Sequence, residues 1–193
     1  MPKYKTLDEA YNLCKEEGSF REIEILDINR IKTILKLSEA LTDSGNDIKK
    51  GLDNKSMKWS VVFSIYYDAF HSLAEIIGRF DKIKIANHQC LFAYLCKSHP
   101  ELELSWDFFE KIRTKRNGIM YYGSPATYED WKEIEVQIQV YIITLKKYIN
   151  KKLGIKEKSF DEIAEPLHKA AKEIGLTKED LEEAIKEVRK KKN

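Results

Sequence analysis

The sequence predicts an all-α protein, an up-and-down helical bundle followed by a C-terminal helical arm. Apolar residues recur at helical spacing along most of the 193-residue chain, and no segment shows a competing strand-like alternation. Only eight glycines and four prolines are present, too few for the many tight turns of a β-sandwich. With 42% hydrophobic residues, a chain of this length can bury a core of its own.

The first two helices are predicted from their end signals. Thr6 begins a Thr-x-x-Glu capping box, and the helix that follows should stop at Gly18. A second helical stripe starts near Asp27 or Asn29. The polar segment 42–56 contains two glycines and is predicted to be a helix end followed by a mobile connection.

Residues 59–80 form the predicted core helix. A wide apolar face needs partners on more than one flank, which indicates a bundle. Its apolar face comprises Trp59, Val62, Phe63, Tyr66, Phe70, Leu73 and Ile77. The opposite, polar face comprises Ser60, Ser64, Asp68, His71 and Glu75.

Three further helices complete the predicted bundle. Residues 87–97 form a short helix that ends before a His-Pro pair. Ser105 caps the next helix, which runs into the charged and aromatic segment 115–123. Thr127 then starts a long helix that should end near Gly154.

The sequence predicts a domain boundary between residues 1–153, the bundle, and 154–193, the arm. The arm has a capping box at Ser159, a proline at Pro166 that should kink its first helix, and a second cap at Thr177. Its large apolar residues are too few for a separate core. We therefore expect it to dock on the bundle, on another subunit or on a separate partner.

Charge and cysteine content constrain the environment. The net charge of +2 provides no global field for nucleic acid, so any such binding requires a local basic patch. Cys14, Cys90 and Cys96 are an odd number without a Cys-x-x-Cys pair, which argues against a disulfide scaffold and a zinc site and favours a reducing cytoplasm. No apolar run has the length of a signal core or a membrane span. We expect a cytoplasmic protein.

The segment 115–123 is the strongest candidate for a functional site. Arg116 offers a planar fork suited to phosphate, and Asn117, Tyr121 and Tyr122 add hydrogen-bonding groups beside it. A well-capped, salt-bridged helix end would have a similar composition, so the segment alone does not decide between the two.

Four basic residues cluster in six positions around this segment: Lys111, Arg113, Lys115 and Arg116. The structural alternative to phosphate binding is that they pair with Glu110 and with Glu133 or Glu135 of the next helix. Pairing with acidic residues is favoured for Lys111 and Lys115. Phosphate binding is favoured for Arg116.

The order of helices and the motif at Arg116 resemble the HEPN superfamily. The resemblance lies in a Trp-led helix carrying Tyr66-Tyr67-Asp68-Ala69-Phe70-His71, followed by a helix that ends in Arg116-Asn117 and Tyr121. HEPN domains are small helical bundles, many of them metal-independent ribonucleases of toxin–antitoxin and defence systems. Their motif is an arginine, often followed by a polar residue, with a histidine four to six positions after the arginine.

The resemblance implies roles for individual residues. Arg116 would hold the scissile phosphate, Asn117 would orient it, and Tyr121 stands where the family places histidine. Arg113, Lys115 and Tyr122 would contact RNA, the first two at the backbone without base specificity. Tyrosine titrates about three pH units above histidine, so the implied function is weak cleavage, substrate-assisted cleavage or RNA binding without turnover.

Two residues of the core helix are candidate accessory residues. His71, with Tyr67 one turn before it, could supply the missing imidazole if the polar face of this helix meets the motif. The alternative is a solvated or subunit-packing histidine. No other histidine has a carboxylate or cysteine at metal-ligand spacing, and no metal or cofactor is predicted.

The arm resembles the toxin-binding arm of type II antitoxins, which wraps a toxin by laying apolar anchors into grooves. Its role stays open between autoinhibition, binding in trans and a structural helix pair. The expected partners are RNA, an antitoxin or nucleotidyltransferase, and a second copy in a homodimer, with no membrane. The alternative function is a non-catalytic protein-interaction module in such a system.

Overall fold

A computed structural model describes residues 5–155 of the chain. The chain divides into two units at Lys152, and nearly all described residues belong to the first, Met1–Lys152. Its helices are α1 (Leu7–Glu16), α2 (Ile28–Lys49), α3 (Trp59–Phe80), α4 (His88–Ser98), α5 (Trp106–Tyr121) and α6 (Tyr128–Lys152). Two short strands, β1 (Phe20–Glu22) and β2 (Ile83–Ile85), and a 3-10 turn (Pro100–Leu102) complete it.

Helix α3 is the centre of the bundle, as its wide apolar face predicts. It packs most extensively against α2 and α6 and also contacts α4, α5 and β2. All seven residues of the predicted apolar face are at most 4% exposed. The all-α bundle is therefore confirmed.

The predicted helix starts are also observed. Thr6 forms the capping box with Glu9, and the side chains of Asp27 and Ser105 accept hydrogen bonds from backbone N–H groups three residues on. Thr127 caps α6 in the same way. The side chains that satisfy the free N–H groups of a helix N-terminus are thus correctly identified from sequence.

Helix α2 ends at Lys49, within the polar segment 42–56 that is predicted to hold a helix end and a connection. The first part of this segment is helical, and the non-helical connection to α3 follows it. Ser38, Thr42 and Gly45 are buried, and Ser38 Oγ donates a 3.2 Å hydrogen bond to the carbonyl of Ala69 on α3. Small and polar residues here allow close approach to α3, although their composition is typical of a loop.

The bundle also carries a short two-stranded ribbon that the sequence pattern did not indicate. β1 and β2 pair antiparallel, with Phe20 opposite Ile85. Each strand has three residues, too few for an alternating pattern to be recognised. The ribbon lies against the end of α3, where a side chain at Gly78 would place its Cβ 3.2 Å from the carbonyl oxygen of Ile83.

Cys14 and Cys90 form a disulfide that joins α1 to α4, and Cys96 is free. This contradicts the inference against disulfide bonding. Cysteines 76 positions apart carry no local spacing signal, and only the packing of α1 on α4 brings them together. The cysteine pattern therefore no longer supports the predicted cytoplasmic location.

The predicted features of the arm lie outside the described residues. These are the caps at Ser159 and Thr177, the kink at Pro166 and the apolar stripe between them. Within residues 5–155, none of the helices combines the length and the apolar character needed to cross a lipid bilayer.

Candidate functional site

The candidate motif lies on the C-terminal half of α5. Arg116 and Asn117 lie three and four positions after Arg113, and Tyr121 follows Asn117 by four, so they share one side of the helix. Gly123 then adopts a positive φ of 63°, which ends the helical segment.

The first turn of α4 lies across from this side of α5. The residues of the two helices line a surface pocket of about 380 Å³, here named the arginine pocket. It is lined by Asn87, the N-cap of α4, by His88 and Gln89 of α4, and by Arg113, Arg116, Asn117 and Tyr121 of α5.

Arg116 lacks a carboxylate partner among residues 5–155, and its Nε is buried without a hydrogen-bond acceptor. Its Nη1 donates a long, 3.4 Å hydrogen bond to the hydroxyl of Tyr121. Its Cζ lies 5.7 Å from the ring centre of Tyr67 and 5.9 Å from that of Tyr121. Aromatic rings hold this guanidinium without neutralising it.

Asp68 on α3 is close enough to Arg116 for the charge of the arginine to affect its pKa. Partial burial raises the pKa of Asp68, and the charge of Arg116 opposes that rise. The two side chains form no ion pair. The positive charge of Arg116 therefore stays available to a ligand in the pocket.

Arg113 differs from Arg116 because it has a carboxylate partner. Its Nε and Nη2 donate to Glu110 at 2.7 and 2.9 Å, and Glu110 is 1% exposed. Gln89 Nε2 donates to the same carboxylate at 2.9 Å. This buried group ties α5 to the first turn of α4 and fixes the two walls of the pocket relative to each other.

The two lysines of the basic cluster also form ion pairs. Lys111 pairs with Glu133, as the structural alternative predicted, and Lys115 Nζ lies 2.6 Å from Asp130. Neither lysine lines the arginine pocket. Tyr122 is 79% exposed and lies outside the pocket lining as well.

Two histidines and a tyrosine form a ring cluster beside Arg116. The ring centres of His71 and His88 lie 3.8 Å apart. His88 Nδ1 shares a 2.7 Å hydrogen bond with the hydroxyl of Tyr67, which is fully buried. The polar face of α3 thus meets the motif within one chain, and His71 is half-buried instead of solvated.

The cluster is uncharged at neutral pH. Burial and the charge of Arg116 lower the pKa of His71 to about 4. Burial, then His71, Arg116 and Arg113, lower the pKa of His88 to about 4, while Glu75 opposes this effect. Burial raises the pKa of Tyr67. The positive charge beside this uncharged ring cluster is therefore that of Arg116.

His88, Asn87 and Gln89 were not predicted as site residues. The available signal was a run of three polar residues before the apolar face of α4, with Asn87 accepting the capping hydrogen bond from the N–H of Cys90. That signal predicts a helix start, but it does not indicate which other helix faces it. Among the described residues, no group of three or more His, Cys, Asp or Glu side chains is arranged to hold a metal ion.

Comparison with known proteins identifies no relative. No protein-family model, no curated protein and no solved structure matches the chain. Function is therefore argued from the chemistry of the site itself.

Proposed function

We propose that this chain is a HEPN-like RNA-binding protein whose arginine pocket holds a phosphodiester. The observation that carries the proposal is Arg116, a partly buried guanidinium with no ion pair within residues 5–155 and an open pocket before it. Such a group has no compensating charge in the unliganded protein. A phosphate accepts the two parallel hydrogen bonds that a guanidinium donates.

The rest of the pocket is suited to a sugar-phosphate backbone. Asn87 and Asn117 provide amide groups, and His88 provides a ring nitrogen, all without net charge at pH 7. Polar groups of this kind contact ribose hydroxyls and phosphate oxygens. We expect RNA binding with little dependence on base sequence.

The imidazole pair supports metal-independent cleavage as the second part of the proposal. In that reaction an imidazole accepts the proton of a ribose 2′-hydroxyl, and the 2′-oxygen attacks phosphorus. The 5′-oxygen then leaves with a proton, giving a 2′,3′-cyclic phosphate and a 5′-hydroxyl. His88 lines the pocket and is the candidate proton acceptor, whereas Tyr121 is the candidate donor.

Bound phosphate would also bring the imidazoles nearer to a useful pKa. The unliganded pair has pKa values of about 4 and is a weak base at pH 7. An anion beside Arg116 favours imidazolium and raises the pKa of both rings. By the same linkage, RNA binding takes up protons and strengthens as the pH falls from 7 to 5.

The test is RNA binding and cleavage by purified full-length protein in the presence of EDTA. Arg116→Ala should weaken binding of single-stranded RNA about 10- to 100-fold, because a charge-assisted hydrogen bond contributes roughly 1.5–3 kcal/mol. Arg116→Lys keeps the charge but loses the fork, and should be intermediate. Lys147→Ala removes one exposed positive charge outside the pocket and is the matched control.

His88→Gln separates binding from catalysis. We expect this variant to bind RNA and to lose cleavage, whereas Arg116→Ala loses both. If the wild-type protein neither binds nor cleaves RNA, the proposal is wrong and a non-catalytic protein-interaction module is favoured. The homodimer and the antitoxin or nucleotidyltransferase partner implied by the HEPN resemblance remain part of the proposal.

A further inference from the structure

A second group of cations lies farther along α3 and has no role in the arginine pocket. Arg79, Arg30 and Lys84 line a separate pocket of about 260 Å³, here named the second basic pocket. They come from three elements, α3, α2 and β2, so the fold rather than one stretch of sequence brings them together.

These three cations are not neutralised by other described residues. None of them takes part in an ion pair or a side-chain hydrogen bond within residues 5–155, and Arg79 Nε is buried without an acceptor. The single carboxylate of the pocket, Asp27, accepts the N–H of Arg30 as the N-cap of α2. Three positive charges and one negative charge give the pocket a net positive charge.

The second basic pocket also has an apolar wall. Ile23, Ile25 and Leu26 line it, and Ile25 is 79% exposed. A guanidinium beside an exposed aliphatic side chain suits a phosphorylated ligand with an apolar part, such as a nucleotide with its ribose and base. An inorganic anion would make no use of this wall.

Helix α3 lies beside both pockets, with Tyr67 next to Arg116 and Arg79 in the lining of the second basic pocket. Tyr67, His71, Glu75 and Arg79 are each four positions apart, so they form one stripe on this helix. The helical rise places Arg79 about 12 Å from His71 along the axis. A few nucleotides of a single strand span that distance.

The geometry points to a second phosphate-binding site for the same RNA strand, formed by Arg30, Arg79 and Lys84. This inference rests on the proposed function of the arginine pocket. On the stripe of α3, Glu75 lies between His71 and Arg79. It also lines a shallow depression together with Arg79 and Lys84. Its carboxylate repels phosphate, so the strand contacts two discrete sites instead of one continuous groove.

The experiment compares a dinucleotide with a single-stranded RNA of about ten nucleotides, a length in the range of single-strand binding sites. The full-length protein is titrated with each RNA at several salt concentrations. Lys84→Gln and Arg79→Gln should weaken binding of the long strand and leave the dinucleotide unaffected. Each should reduce the slope of log K against log salt by about 0.7, the value for one lost phosphate contact on a single strand.

Lys84 is exposed on β2, so its variant tests the site even if Arg79→Gln fails to fold. Lys147→Gln, outside both pockets, controls for net charge. If the long strand binds, depends on Arg116 and keeps its salt slope in Lys84→Gln, the second site is wrong while the proposed function stands. If neither RNA binds the wild type, the proposed function fails.

A competition with adenosine monophosphate distinguishes the source of the phosphate. If adenosine monophosphate lowers the affinity of the long strand to that of the dinucleotide and no further, the mononucleotide occupies the second site that the long strand uses. That result supports a site shared with RNA. The opposite result is that Arg79→Gln weakens binding of the mononucleotide but not of the long RNA. That result would overturn the assignment of the second site to RNA.

Discussion

Arg113 and Arg116 are one helical turn apart and show how partners decide the role of a residue. Arg113 donates to the buried carboxylate of Glu110, and this pair stabilises the junction of α4 and α5. Arg116 lies near the rings of Tyr67 and Tyr121, which leave its charge intact. Local spacing suggests Glu110 as a partner for the basic cluster, and the structure shows that Arg113 forms this pair whereas Arg116 does not.

The depressed pKa of His71 makes stability depend on pH. Its pKa is about 4 in the folded protein, against about 6.5 when unfolded, so the unfolded state binds more protons between these values. Stability should therefore fall as the pH decreases from 7 towards 4. His71→Gln removes this group. Between pH 7 and pH 5, its free energy of unfolding should therefore fall by about 1–2 kcal/mol less than that of the wild type.

Urea unfolding at the two pH values measures this difference. The slope against urea should stay the same, which indicates that the change lies in stability and not in compactness. An identical loss in the wild type and in His71→Gln would show that His71 is not held neutral by its surroundings.

At the scale of elements, the contact between α2 and α3 depends on a glycine within a helix. A Cβ at Gly45 would lie 2.6 Å from Cε2 of Tyr66, a buried ring whose hydroxyl donates to Asn46. Glycine lowers helix propensity by about 1 kcal/mol relative to alanine. Here the absence of a side chain permits the close packing of α2 on α3, which is the most extensive contact between elements of the bundle.

Gly45→Ala should therefore destabilise the protein although alanine favours helices. We expect a net loss of about 1–2 kcal/mol, because the overpacking cost exceeds the gain in helix propensity. Ser44→Ala, at the adjacent exposed position, raises propensity without a clash and should be neutral or stabilising. Thermal unfolding measures both variants, and a more stable Gly45→Ala would contradict the observed packing.

The elements also show what periodicity can and cannot predict. The apolar face of α3 and the caps at Thr6, Asp27 and Ser105 follow from local sequence, and they are observed. The residue within segment 42–56 at which α2 ends does not follow from local sequence, because the polar residues up to Lys49 are helical and several of them pack against α3. The β1–β2 ribbon is missed for the related reason that three-residue strands are stabilised by their partner and not by pattern.

At the scale of the whole molecule, the candidate site is assembled from three helices. Sequence reasoning found Arg116, Asn117 and Tyr121 because they belong to one motif on α5. His88 belongs to α4 and reaches the motif only through the packing of α4 on α3 and α5. The disulfide between Cys14 and Cys90 likewise depends on contacts distant in sequence, so local spacing could not predict it.

The central claim is that Arg116 binds the phosphodiester of RNA. Its Nε is buried and unpaired, so its N–H resonance should respond directly to a phosphate on the guanidinium. In ¹⁵N–¹H spectra of the full-length protein, the signal is assigned by its loss in Arg116→Lys.

We predict that this signal shifts progressively on titration with single-stranded RNA and that the shift weakens with added salt. An Arg116 signal that stays in place while RNA shifts other resonances would contradict the claim, as would a spectrum that RNA leaves unchanged.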